Sequence, residues 1–241
     1  FEDWSVDEYL SSLEKVLGKG YRTYTFENFD TEWNEYCKGA SAELRNIPNQ
    51  ALWNEYLHRM IDNKGKLKSV DEYMNDRNDK TDVFRFCSKP EKQAKTFSKW
   101  INMQKSESRL SLAERAGKAI VQIIQILTNG TLDEQESVAS LQPDILILDE
   151  IQDLPAPVIL LMLLMHKGKR NSVMMCGDDE QTLELIKFDW EVVFSKMSTA
   201  IYQLCEENKN LERLDFVGKW RHTGDGLSLN KVQQLHTKYL T

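Results

Sequence analysis

Four apolar residues, Ile145 to Leu148, run directly into Asp149 and Glu150, and this junction constrains the fold more than any other stretch of the chain. A short run of Ile and Leu bounded by polar residues reads as a buried strand of a parallel sheet. Carboxylates at its C-terminal end stand where open α/β sheets place ligands. An adjacent acidic pair at that point suits nucleotide hydrolysis: the first acid holds Mg²⁺, directly or through water, and the second orients or deprotonates the attacking water. Taken alone, the same pattern also describes a strand closed by a capping acid.

Two further segments narrow the choice. In VMMCGDDEQTL, Val173 to Leu183, another short apolar run ends in Gly177-Asp178, with Gln181 three residues on. Glycine lets the backbone turn sharply there, and a glutamine amide both donates to phosphate and accepts from water. In KWRHTGDGLSL, Lys219 to Leu229, Arg221 lies between an expected strand, Leu211 to Phe216, and a helix expected from Asp225. A guanidinium at such a junction can fork onto phosphate oxygens. Asp153 and Asp178 read equally well as capping or turn acids.

At these residues the chain resembles the UvrD/Rep-like superfamily 1 helicases. DEIQD is similar to their Walker B element, GDDEQ to their GDxxQ element, and WRHTGDGLSL to the YR-type element followed by a helix. The resemblance is nearest to the divergent UvrD-like domains of large eukaryotic proteins with TPR and ankyrin repeats, and it is concentrated in residues 142–230. YTFENF, Tyr24 to Phe29, resembles a further element upstream. The resemblance implies an α/β fold: part of a RecA-like parallel sheet of the P-loop NTPase type, carrying a large all-helical insertion. Residues 1–130 would be the helical insertion, and 131–241 the C-terminal part of the first RecA-like domain. It further implies ATP and Mg²⁺ as cofactors, with Asp149 on the metal and Glu150 activating water. Gln152 and Gln181 would sense the γ-phosphate, and Arg221 would contact it. Movement on single-stranded DNA or RNA, usually 3′ to 5′, would be coupled to hydrolysis. The remainder of the parent polypeptide would be a partner, within a larger protein complex if the module is a scaffold.

Departures from the family pattern fall at definite places. Trp220 stands where Tyr usually precedes the arginine, and Glu184 stands where UvrD has a base-stacking aromatic, leaving Phe188 and Trp190 as substitutes. The family element resembling YTFENF lies near the nucleic-acid path, which brings Thr25 and Phe26 forward as contacts. The spacing of Phe26, Phe29 and Trp33 is also that of a buried helix face, and core packing is the favoured reading. A phosphate-cradling loop would read G-x-x-x-x-G-K-[ST]. Gly18-Lys19, Gly65-Lys66, Gly117-Lys118 and Gly168-Lys169 all fail that pattern. The expectation is a segment of a larger helicase whose phosphate-gripping lysine and second motor domain lie elsewhere in the parent. The alternative is a catalytically inactive helicase-like scaffold or nucleic-acid-binding module. A nuclease using Asp149 and Glu150 is a weaker third reading, since it leaves Gln181 and Arg221 without a role.

Composition and charge fill in the rest. With 241 residues, 41% of them hydrophobic, the chain can bury one large core or two smaller ones. Cys37, Cys87, Cys176 and Cys205 show no paired spacing, so a reducing, intracellular setting, nuclear or cytoplasmic, is expected. The longest apolar run, Val158 to Met165, is too short for a bilayer, so no membrane association is expected. Helices are expected from the capping box at Ser5 to Leu17, over Ala51 to Ile61, after a second box at Ser69, after Pro90, and over Leu110 to Leu127. From Asp144 strands and helices should alternate. Between Lys64 and Lys118 stand fourteen Lys and Arg against eight Asp and Glu, in a chain of net charge −7. Lys89, Lys92, Lys95 and Lys99 recur at helical spacing, either as a phosphate-binding stripe or as an ordinary solvated face.

Overall fold

Ser5 opens the first helix, α1 (Val6–Val16), by a reciprocal capping box: its hydroxyl accepts from Glu8 N, while its own N–H donates to the Glu8 carboxylate at 2.9 Å. Leu10 and Leu13 point inward from α1, and Gly18, at φ 64°, ends it. The computed structural model describes residues 5–39, 41–76, 83–85, 87–104, 108–167 and 172–177. Gln181, Trp190, Arg221 and the strand expected at 211–216 lie outside the described residues. Beyond α1 the described chain is mostly helical, with two parallel two-stranded sheets.

The first sheet joins β1 (Arg22–Thr23) to β2 (Arg109–Leu110), with Arg22 opposite Arg109. Between these strands the chain folds α2 (Phe26–Cys37), α3 (Ala42–Arg45), α4 (Asn49–Glu55), α5 (Val70–Asp76) and α6 (Pro90–Gln104). Rings dominate their shared core. Phe29, Trp33, Trp53, Tyr56, Phe97 and Trp100 are buried, with Trp33 and Trp100 edge to face at 4.7 Å between centroids. The box at Ser69 forms as expected, Ser69 N donating to Glu72 at 2.8 Å. Regular helix does not persist to Ile61: α4 gives way to a π-helical turn, Tyr56–Met60. That turn carries the Tyr56 hydroxyl to the buried Glu114 carboxylate, 2.6 Å away. Burial, then the Glu114 charge, pushes the phenol's pKa well above its usual value.

Past the π turn, residues 60–68 form a tight hairpin, in which Asp62 Oδ1 accepts from the N–H groups of both Lys64 and Lys66 at 2.8 Å. Its tip, Gly65 at φ 71°, lies backbone to backbone against Gly117 of α7 (Leu112–Asn129). A Cβ on Gly117 would fall on the Gly65 main chain. Gly117→Ala is therefore expected to destabilise the fold by about 3 kcal/mol through overpacking. A loss below about 1 kcal/mol in chemical denaturation would show that the contact yields easily.

α7 packs against α8 (Leu132–Ala139) and α9 (Ala156–Met165), and α9 in turn carries β3 (Leu146–Leu148) and β4 (Val173–Met175). Helix α9 is apolar on every side because it is an inner layer. Val158, Leu161 and Leu164 share a cluster with Ile120, Ile123 and Ile124 of α7, while Ile159, Met162 and Leu163 meet Leu146 and Leu148. Leu10 and Leu13 of α1 join the first of these clusters, so the packing runs across residue 130. Arg115 of α7 ties α1 and β1 together. It is 1% exposed and directs all five guanidinium N–H groups at partners. Nε and Nη2 fork onto Glu14 at 2.7 and 3.0 Å, Nη2 also reaches Ser11, and Nη1 is held by Asp7 and Thr23.

Strands β3 and β4 are parallel and in register from Leu146–Val173 to Leu148–Met175, with α9 as the crossover between them. The expectation of a buried strand holds for one face of β3 and is corrected for the other. Side chains alternate along β3, so only Leu146 and Leu148 meet α9. Ile147 and Met174, opposite one another on the other face, remain 52% and 58% exposed. Among the described residues nothing covers that face.

Candidate functional site

The acidic pair stands where β3 ends, and its shape is set by the need to bring the chain back onto the sheet. After Leu148 the backbone must reverse so that Ile151, 1% exposed, can enter the pocket formed by Leu146, Leu148 and Ile159. Glu150 makes that reversal in the left-handed region, φ 48° and ψ 43°. Among the described residues it is the one non-glycine with positive φ. Such a conformation costs an ordinary L-residue about 1–2 kcal/mol. A 3₁₀ turn, Ile151–Asp153, comes next, and Pro155 then caps α9.

The turn is held by main-chain hydrogen bonds. Cys176 N donates to Leu148 O at 2.8 Å, extending the β3–β4 ladder, and Ile151 N donates to Cys176 O at 3.0 Å. Asp153 N closes the turn on Glu150 O at 2.9 Å. The tip of β3 and the end of β4 thus share one frame. Asp149 and Glu150 are both exposed, and Asp149 Oδ1 accepts from Glu150 N at 3.0 Å. Asp153, in the same turn, has its carboxyl pKa raised, first by burial and then by the Glu150 charge. Negative charge accumulates at this tip, so a cation arriving there would be welcome.

The residues present fit a magnesium ion of the kind that keeps several waters and takes one or two carboxylates plus substrate phosphates. Asp149 offers such a carboxylate at the surface. Among the described residues no group of three or more His, Cys, Asp or Glu side chains gathers into a metal cage. Gln152 lies in the 3₁₀ turn itself. Gln181 and Arg221 lie outside the described residues, as does Trp190.

The expected nucleic-acid contacts fall elsewhere. Thr25 is the N-cap of α2, its hydroxyl accepting from Asn28 N at 3.5 Å. Phe26 is half-buried, its ring 6.4 Å from Trp53 and 6.3 Å from Phe29. Phe29 and Trp33 are fully buried, as core packing requires. Lys92, Lys95 and Lys99 are exposed on α6. No family model, curated protein or solved structure matches the chain, and among the described residues no helix is long and apolar enough to cross a membrane.

Sequence reasoning missed Cys176. It reads as a small hydrophobe inside a strand, but the residue lies just past β4 and acts through its amide and carbonyl. No side-chain pattern signals a main-chain role of this kind.

Proposed function

We propose that this chain is the catalytic-acid segment of an ATP-dependent superfamily 1 helicase or translocase, a RecA-like element that couples ATP hydrolysis to movement along single-stranded nucleic acid. The observation that supports this reading best is Glu150. A glutamate occupies an exposed strand tip at a backbone conformation that glycine or asparagine would adopt more readily, beside a second exposed carboxylate. Strain retained at such a place points to a side chain kept for its chemistry. Bound Mg²⁺ supplies charge neutralisation for the phosphates.

Asp149 would hold the metal's position at the strand tip. Glu150 would take the proton from the attacking water, its carboxylate aimed outward by the left-handed turn. Asp153 and the main-chain clamp through Cys176 hold that turn in place. Gln181 and Arg221 are assigned to the γ-phosphate on the resemblance of their motifs.

Asp149→Asn in the full-length parent tests the metal assignment. Mg²⁺-dependent ATP affinity is expected to fall on the order of tenfold, about 1.4 kcal/mol, while metal-free nucleotide affinity stays unchanged. Equal Mg²⁺ dependence in the variant would remove Asp149 from the metal site.

A further inference from the structure

Helix α6 is fixed in rotation by what it buries. Ala94, Phe97, Trp100 and Ile101 enter the aromatic core, and Gln93 is bonded at 2.8 Å to Glu43. The opposite face therefore cannot turn inward. It presents Lys92, Lys95, Lys99 and Met103, spaced three, four and four residues apart on one side of the helix. The three lysines are exposed, and none of them forms an ion pair among the described residues. Nearby acids do not neutralise them. Glu43 is engaged by Ser88 N and Gln93, and Glu91, four residues before Lys95, makes no ion pair with it. Met103 is 60% exposed although it lies on a helix rich in buried rings.

We infer that this outer face of α6 is a docking strip for single-stranded nucleic acid, in which Lys92, Lys95 and Lys99 take backbone phosphates and Met103 takes the face of an unpaired base. The inference deepens the proposed function, resting on its reading that the polymer partner is nucleic acid. Lys92 to Lys99 spans roughly 10 Å along the helix axis, a run of a few phosphates. A purely acidic peptide such as polyglutamate would satisfy the ammonium groups and leave the methionine in water. A duplex would keep its bases stacked away from it. An unpaired strand offers repeated negative charge and accessible base faces together.

Binding of a labelled oligothymidylate to the full chain, measured without nucleotide over a salt series, tests this against polyglutamate as the comparison polymer. Replacing Lys92, Lys95 and Lys99 together by Gln should flatten the log K against log salt slope by about 2, since each phosphate contact on a single strand contributes about 0.7. Met103→Ser should weaken oligonucleotide binding roughly fivefold at every salt concentration and leave the slope alone. Absence of oligonucleotide binding, an unaltered slope in the triple variant, or a silent Met103→Ser with equal binding to polyglutamate would each overturn the assignment. Because no nucleotide is present, failure here leaves the Asp149 and Glu150 chemistry standing, and failure of that chemistry leaves this result readable.

Discussion

Arg115→Met is expected to lower the unfolding free energy by about 3–5 kcal/mol, the usual effect of removing one partner from a buried ion pair. Glu14, 4% exposed, would be left in the protein interior with its countercharge gone. Burial by itself favours a neutral Arg115, yet the hydrogen bonds and charge of Glu14 and the charge of Asp7 outweigh it and raise the guanidinium's pKa. The pairing is thus tight enough that breaking it strands a charge. In urea the midpoint should fall with an unchanged slope. The double variant Arg115→Met, Glu14→Leu should regain most of the loss, because the costly remainder is the unpaired carboxylate and not the missing attraction. A single variant that loses less than about 1 kcal/mol would place the cluster among ordinary surface pairs.

Glu150 carries the second large effect, and two substitutions separate its chemistry from its backbone. Glu150→Gln in the full-length parent should lower ATP turnover by about 10²- to 10⁴-fold, as loss of a general base does, with nucleotide affinity preserved. Glu150→Asn should lose turnover to the same degree. It should also stabilise the protein by about 0.5–1 kcal/mol, because asparagine tolerates the left-handed region. For a chain of this size that corresponds to roughly 1–4 °C in melting temperature. Turnover surviving in both variants would remove Glu150 as the base. Turnover lost without any thermal gain in the asparagine variant would mean the strand tip bears no strain.

Local signals in the sequence proved legible, and long-range ones did not. Ser5 and Glu8 announce the start of α1 because a capping box needs only four consecutive residues. Pro90 and the spacing of Phe97, Trp100 and Ile101 likewise announce α6 and its buried face. Arg115 reads as surface charge, since its partners lie 92 to 108 residues away in the chain. The π turn at Tyr56 escapes notice for a related reason: it coincides with a hydrogen bond to Glu114, 58 residues on. At the candidate site the acids themselves were readable from the apolar run before them. The left-handed twist of Glu150 was not, because it arises from where Ile151 must be buried. Exposure of Ile147 also escaped, since an unbroken apolar run does not say how many layers lie against it.

The clamp joining the ends of β3 and β4 is drawn entirely in peptide groups. The two bonds at position 176 depend on a main-chain N–H and carbonyl, so proline, for want of the N–H, is the one residue that would remove the bond to Leu148 directly. Both strand ends are held together through this one residue's peptide groups.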